Sequence, residues 1–167
     1  MTRVSSPIRA ADWRIDVWRA FLRTHSSVLR QLERDLVAAT GMPLSWYDVL
    51  LQLAEAPERR LRMADLADKV LLSRSGLTRL VDRLQAEGLV TREPFPGDAR
   101  GLYTVLTASG LDRLRHAAPT HLGGVQAYWL SKFSDDELRA LDALLGRLDA
   151  DVPADPACAD ADTGADA

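Results

Sequence analysis

Residues 66–110 read LADKVLLSRSGLTRLVDRLQAEGLVTREPFPGDARGLYTVLTASG. The centre of this stretch is a helix signal. Ser73 reads as an N-cap, because its hydroxyl can take a backbone N–H that the first turn leaves unpaired. The helix it opens, over 73–87, carries Leu77, Leu80, Val81 and Leu84 on one face at helical spacing. Arg74, Ser75, Thr78, Arg79 and Asp82 fall on the other face, with Arg83 a turn further back. Gly88 follows, as glycine commonly does where a helix stops. Ahead of Ser73, residues 63–71 make a brief helix with Leu66, Ala67 and Val70 inward, and Leu72-Ser73 makes the turn. Beyond Gly88 the period changes. Segments 89–93 and 102–106 have strand composition. The two prolines and two glycines within 94–101 mark a loop between them.

Working outward, a long helix is expected over 11–39, its stripe formed by Trp18, Phe21 or Leu22, His25, Val28 or Leu29, Leu32 and Leu36. Gly41 and Pro43 stop it. Ser45 and Asp48 read as a capping box opening a helix to residue 55. Residues 60–63 are extended. Thr107 caps a helix to about residue 132, which Pro119 should kink or interrupt. Ser134-Asp135-Asp136-Glu137 is a second capping box and opens a helix to about residue 149, with Leu138, Leu141, Leu144, Leu145 and Leu148 apolar. The expected division is an N-terminal dimerisation helix (1–40), a central lobe (41–107), C-terminal dimerisation helices (108–149) and a disordered acidic tail (150–167). The stripes on the first and last helices exceed what a small lobe can bury, which points to a homodimer.

The fold class is therefore mainly α: a winged helix-turn-helix lobe with a small β wing, flanked by long helices. An amphipathic helix with arginines outside is suited to lie in a DNA major groove, its inner face holding it to the domain. Arg74, Ser75, Thr78 and Arg79 are the candidates for base edges, since guanidinium bonds guanine bidentately and hydroxyls bond several edges. Ser73 also counts among the candidate DNA-binding residues; Arg83 either meets phosphate or pairs with Asp82 or Glu87, and Arg92 is a candidate for phosphate. Arg100, at the wing tip, suits the minor groove. Arg59, Arg60 and Arg62 form a basic cluster that is either solvated or in contact with phosphate.

Charge agrees with this division. The 167 residues have a net charge of −3, but five aspartates and no base lie in 150–167, and the remainder has 21 bases against 19 acids. Residues 59–100 hold nine bases and six acids. Nucleic-acid binding depends on where charge sits more than on its sum. No apolar run exceeds four residues, so no membrane span and no secretory signal are expected and the reading is cytoplasmic. Cys158 is the only cysteine. It leaves no internal disulfide and no thiolate zinc site, and His25, His116 and His121 are too scattered to suggest a metal. Neither a cofactor nor an enzyme signature is found: there is no phosphate loop, nucleophile elbow or dinucleotide fingerprint. The alternative is a winged-helix module that binds another protein.

The segment LSRSGLTRLVDRL, followed by GLV-x-R, Asp98-x-Arg100 and Leu106-Thr107…Gly110, resembles the MarR (multiple antibiotic resistance regulator) family of bacterial repressors. With the flanking helices the resemblance covers roughly residues 13–148. It implies an obligate homodimer joined by its terminal helices, a pseudo-palindromic double-stranded DNA operator, and release by a small aromatic or phenolic effector. It also implies that Asp98 orients Arg100 or the wing backbone. An effector pocket is implied between the dimerisation helices and the lobe, where Trp18, His25, Trp46 and Tyr47 are the candidates. His25 also reads as a buried structural histidine. Oxidant-sensing members need a cysteine near the first helix, and this sequence has none there.

Overall fold

The computed structural model describes residues 12–70, 74–95 and 98–149, and the side chains at 74, 75, 98–100 and 149 lie outside that description. The expected cap Ser73 and the tail with Cys158 also lie outside the described residues. The elements, in order, are α1 (Trp13–Thr40), α2 (Leu44–Glu55), a 3-10 turn at Pro57–Arg59, β1 (Arg60–Arg62), α3 (Met63–Lys69), α4 (Arg74–Ala86), β2 (Val90–Phe95), β3 (Asp98–Leu106), α5 (Ala108–Tyr128), a second 3-10 turn at Leu130–Lys132, and α6 (Asp135–Asp149).

The ends of α1 follow from local chemistry. Asp12 accepts the Arg14 backbone N–H at 3.0 Å, and the Arg14 guanidinium beside it lowers its carboxyl pKa to about 2. At the other end Gly41 sits at φ 67°, a left-handed cap that a side chain would strain, and Gly88 after α4 does the same at φ 70°. The α2 start differs from expectation. Its N-cap is Pro43, with no side-chain cap of its own, and Ser45 lies inside the helix. The cap comes from α1 instead: a Glu33 carboxylate oxygen accepts the Leu44 N–H at 2.5 Å. A carboxylate on a helix N-terminus also complements its dipole, so the local box is not needed.

One core joins the lobe to the long helices. Leu36 of α1, Val49, Leu50 and Leu53 of α2, Leu66 of α3, and Leu77, Val81 and Leu84 of α4 are all fully buried. Each such side chain contributes about 1.5–3 kcal/mol when removed from water. The sheet has the order β1-β3-β2, all antiparallel. Both wing strands are longer than expected, so Pro94, Phe95 and 98–101 belong to strands rather than to a loop. Proline is tolerated because β2 is an edge strand with one side unpaired. The register shifts between Pro94 and Phe95.

Thr107 caps α5 as expected, accepting the Gly110 N–H at 2.9 Å. The helix continues through Pro119 and ends at Tyr128, short of the expected residue 132. Arg113 donates to the Thr40 carbonyl at 2.9 Å, placing a cation on the C-terminal end of α1. Tyr128 donates to Asp35 at 2.5 Å, tying the C-terminal end of α5 to α1. The Ser134 box on α6 is formed: the Ser134 N–H reaches Glu137 at 2.8 Å and the Glu137 N–H returns to Ser134 Oγ at 3.4 Å.

Candidate nucleic-acid interface

The buried leucines of α4 fix which face it presents. With Leu77, Val81 and Leu84 against the core, Thr78, Arg79, Asp82 and Arg83 are exposed. Arg79 and Arg83 stand one turn apart on a single row and have no ion-pair or hydrogen-bond partner among the described residues. Arg74 and Ser75 begin the helix, with side chains outside the described residues. Asp98 and Arg100 lie on β3 at the wing end, also without described side chains.

Arg92 behaves differently from Arg79. Its guanidinium meets the Asp82 carboxylate at 2.6 Å, joining β2 to α4. The sequence offered Asp82 only as one of several partners for Arg83. The register explains the difference: Arg92 is opposite the buried Thr104, so it points to the α4 side of the sheet. The basic cluster is also mostly engaged. Arg60 pairs with Glu58 and lies 4.8 Å from the Tyr103 ring centre, while Arg62 lies 3.5 Å from that of Phe95.

A second feature lies behind this surface. A cavity of about 720 Å³ opens between α1, α2 and α5. Leu29, Leu51, Tyr47 and His121 form its apolar wall, and Arg30, Arg34, Glu33 and Asp48 are also on its lining. The Tyr47 and His121 rings stack at 4.3 Å. His121 Nδ1 is buried without a hydrogen-bond partner among the described residues. Burial disfavours the imidazolium and pushes the His121 pKa down, and it pushes the Tyr47 and Asp48 pKa values up.

Of the four residues expected at an effector site, only Tyr47 lines this cavity. Trp46 packs half-buried against the lobe core. Trp18 and His25 are exposed on α1 in a row with Phe21, at ring separations of 5.9 and 6.1 Å. His25 is therefore not buried within the protomer. Sequence reasoning missed His121 because its partner Tyr47 is far away in the chain, and a lone histidine on a helix carries no spacing signal.

A basic helix seated on a three-helix lobe, with a β hairpin at its side, defines a winged helix-turn-helix protein. A family model described as MarR family matches residues 40–101. Sco3205, a MarR family transcriptional regulator from Streptomyces coelicolor crystallised in complex with DNA, is 33% identical. That likeness covers 86% of this chain and 90% of Sco3205 with a TM-score of 0.79. AbsC, another MarR family regulator from the same organism, is 32% identical over 85% of this chain and 95% of its own, with a TM-score of 0.78. The HTH-type transcriptional repressor YetL of Bacillus subtilis is 29% identical over 111 residues, 66% of each chain. The chain belongs to the MarR family of transcriptional regulators.

Proposed function

We propose that the chain is a homodimeric, sequence-specific DNA-binding repressor that places its two α4 helices in successive major grooves of a pseudo-palindromic operator. The observation that carries this reading is the outer face of α4, where Arg79 and Arg83 project without an ion-pair partner among the described residues from a helix held by three fully buried side chains. The DNA complex of Sco3205 and the repressor name of YetL support it, and they favour DNA over a protein partner for the same face. On this reading 41–107 is the DNA-binding lobe, and 1–40 and 108–149 supply the dimer helices. The setting is cytoplasmic, and no helix among the described residues is long and apolar enough to cross a membrane.

Arginine sorting tests the reading. Arg79→Ala should cost about 1–3 kcal/mol of discrimination between operator and altered operator. Arg92→Ala should weaken all sequences alike and lower the salt slope by about one unit. Binding titrations on a panel of operator variants at several salt concentrations measure both. Identical specificity profiles for the two variants would refute the sorting.

The effector half of the proposal belongs to the cavity. A small aromatic compound would lie between Leu29, Leu51 and the Tyr47–His121 stack, where its hydroxyl would donate to the His121 imidazole. His121→Phe keeps a stacking ring and removes the acceptor. It should lower effector affinity about tenfold and leave operator affinity without effector unchanged. The pH dependence has a definite sign. Because burial lowers the His121 pKa, the imidazole is neutral and able to accept at pH 7, and effector affinity should fall only as pH drops through that lowered value. Affinity that is flat from pH 7 to 5, with His121→Phe unchanged, would remove His121 from the site.

A further inference from the structure

The outer face of the small sheet carries contacts that the DNA-reading helix does not use. Arg62 is opposite Tyr103, which is opposite Glu93, so all three point to one face. On that face Arg62 lies 3.5 Å from the Phe95 ring centre, Phe95 meets Tyr103 edge-on at 5.1 Å, and Arg60 lies 4.8 Å from Tyr103. Arg60 also comes within 3.9 Å of Glu93. Arg62 belongs to β1 and Phe95 to β2. These are the two edge strands, and the contact reaches across the central strand between them.

The contact falls where the backbone holds least. Pro94 has no N–H to give to the ladder, and the register breaks between Pro94 and Phe95. A two-stranded ribbon beyond such a point is marginally stable and twists readily. On the inner face the Arg92–Asp82 pair ties β2 to α4. The outer face has the guanidinium on the ring, which is attractive by charge against the ring quadrupole and by planar stacking.

We propose that Arg62 and Phe95 form a clasp that fixes the angle of the wing to α4, which makes them positioning residues of the DNA interface rather than phosphate contacts. This role rests on the reading that the wing meets DNA. A minor groove only about 6 Å wide leaves little tolerance for a swinging tip.

Phe95→Leu and Arg62→Gln test it, with the full-length dimer throughout. Hydrogen exchange in the DNA-free protein should speed up at the wing amides of β2 and β3 in both variants, with thermal stability unchanged. On operator DNA each variant should bind roughly three- to tenfold more weakly. Hydroxyl-radical protection should be lost at the flanking minor grooves and kept at the major-groove half-sites, and the salt slope should stay as in the unaltered protein. The double variant should be no weaker than the worse single one, because both remove one contact. Arg62→Lys should restore part of the loss. A salt slope lowered by about one unit in Arg62→Gln, with Phe95→Leu unaffected, would make Arg62 a phosphate contact and overturn the clasp. Wing amides that exchange at the unaltered rate in both variants would overturn it too. An unaltered protein that binds no DNA would defeat the functional reading, while exchange would still decide whether the clasp exists.

Discussion

Gly110→Ala should destabilise the protein by about 3 kcal/mol or more, an overpacking cost at the upper end of the usual range. A Cβ on Gly110 would sit 2.1 Å from the Leu89 carbonyl oxygen and 2.8 Å from a Leu106 methyl. The Leu89 oxygen cannot move aside. It already accepts the Thr107 N–H at 3.2 Å, while Thr107 Oγ1 lies 3.0 Å away. That knot joins the α4–β2 turn to the first turn of α5, so relieving the clash means lifting α5 from the lobe. Gly123→Ala in the same helix is the matched control. A Cβ there meets nothing within 4 Å, and alanine should be neutral or stabilise by up to about 1 kcal/mol. Urea denaturation of both variants measures the contrast. Equal midpoints for the two would show that the α5 entry is not tightly packed.

The second large effect concerns assembly. On α1, Trp13 is 72% exposed, Val17 58% and Trp18 55%, and on α6, Leu144 is 54% and Leu148 64%. Scattered surface leucines are ordinary, but two helices with contiguous large apolar side chains mark an interface. Phe21→Glu combined with Leu148→Glu would place unpaired carboxylates there. The dimer should weaken by a hundredfold or more, following the roughly 3–5 kcal/mol cost of an uncompensated buried charge. Operator binding should fall with it, since a single lobe reaches one half-site. Sedimentation at low micromolar concentration should show dimers for the unaltered protein and monomers for the variant. Dimers in both would move the interface elsewhere.

The lobe was readable from sequence because its signals are local. The apolar face of 77–84, the Gly88 stop, the Thr107 cap and the Ser134 box each depend on neighbours within one or two turns. Errors arose where distant residues decide. The α2 cap came from Glu33, eleven positions from the N–H it accepts. The wing strands extend through Pro94 because Phe95 finds Tyr103 and Arg62, contacts that composition cannot show. Of the aromatic residues expected beside an effector, Tyr47 alone is on the lining of the cavity between α1, α2 and α5. Trp18 lies on an exposed stripe, and His121 comes to Tyr47 only when α5 folds back onto α2. Periodicity could not tell a stripe that faces the protomer core from one that faces outward. His25 therefore read first as a buried structural histidine and second as ligand-facing, whereas it is exposed on α1.

Footprinting on DNA from the region upstream of the protein's own gene addresses the central claim most directly. Two chains should protect two half-sites centred about one helical turn, or 10 base pairs, apart. Affinity for that site should exceed affinity for scrambled DNA by a factor on the order of 10³ or more at physiological salt. Arg79→Ala should collapse that ratio. Equal affinity for the site and its scrambled copy, with no paired protection, would contradict the account.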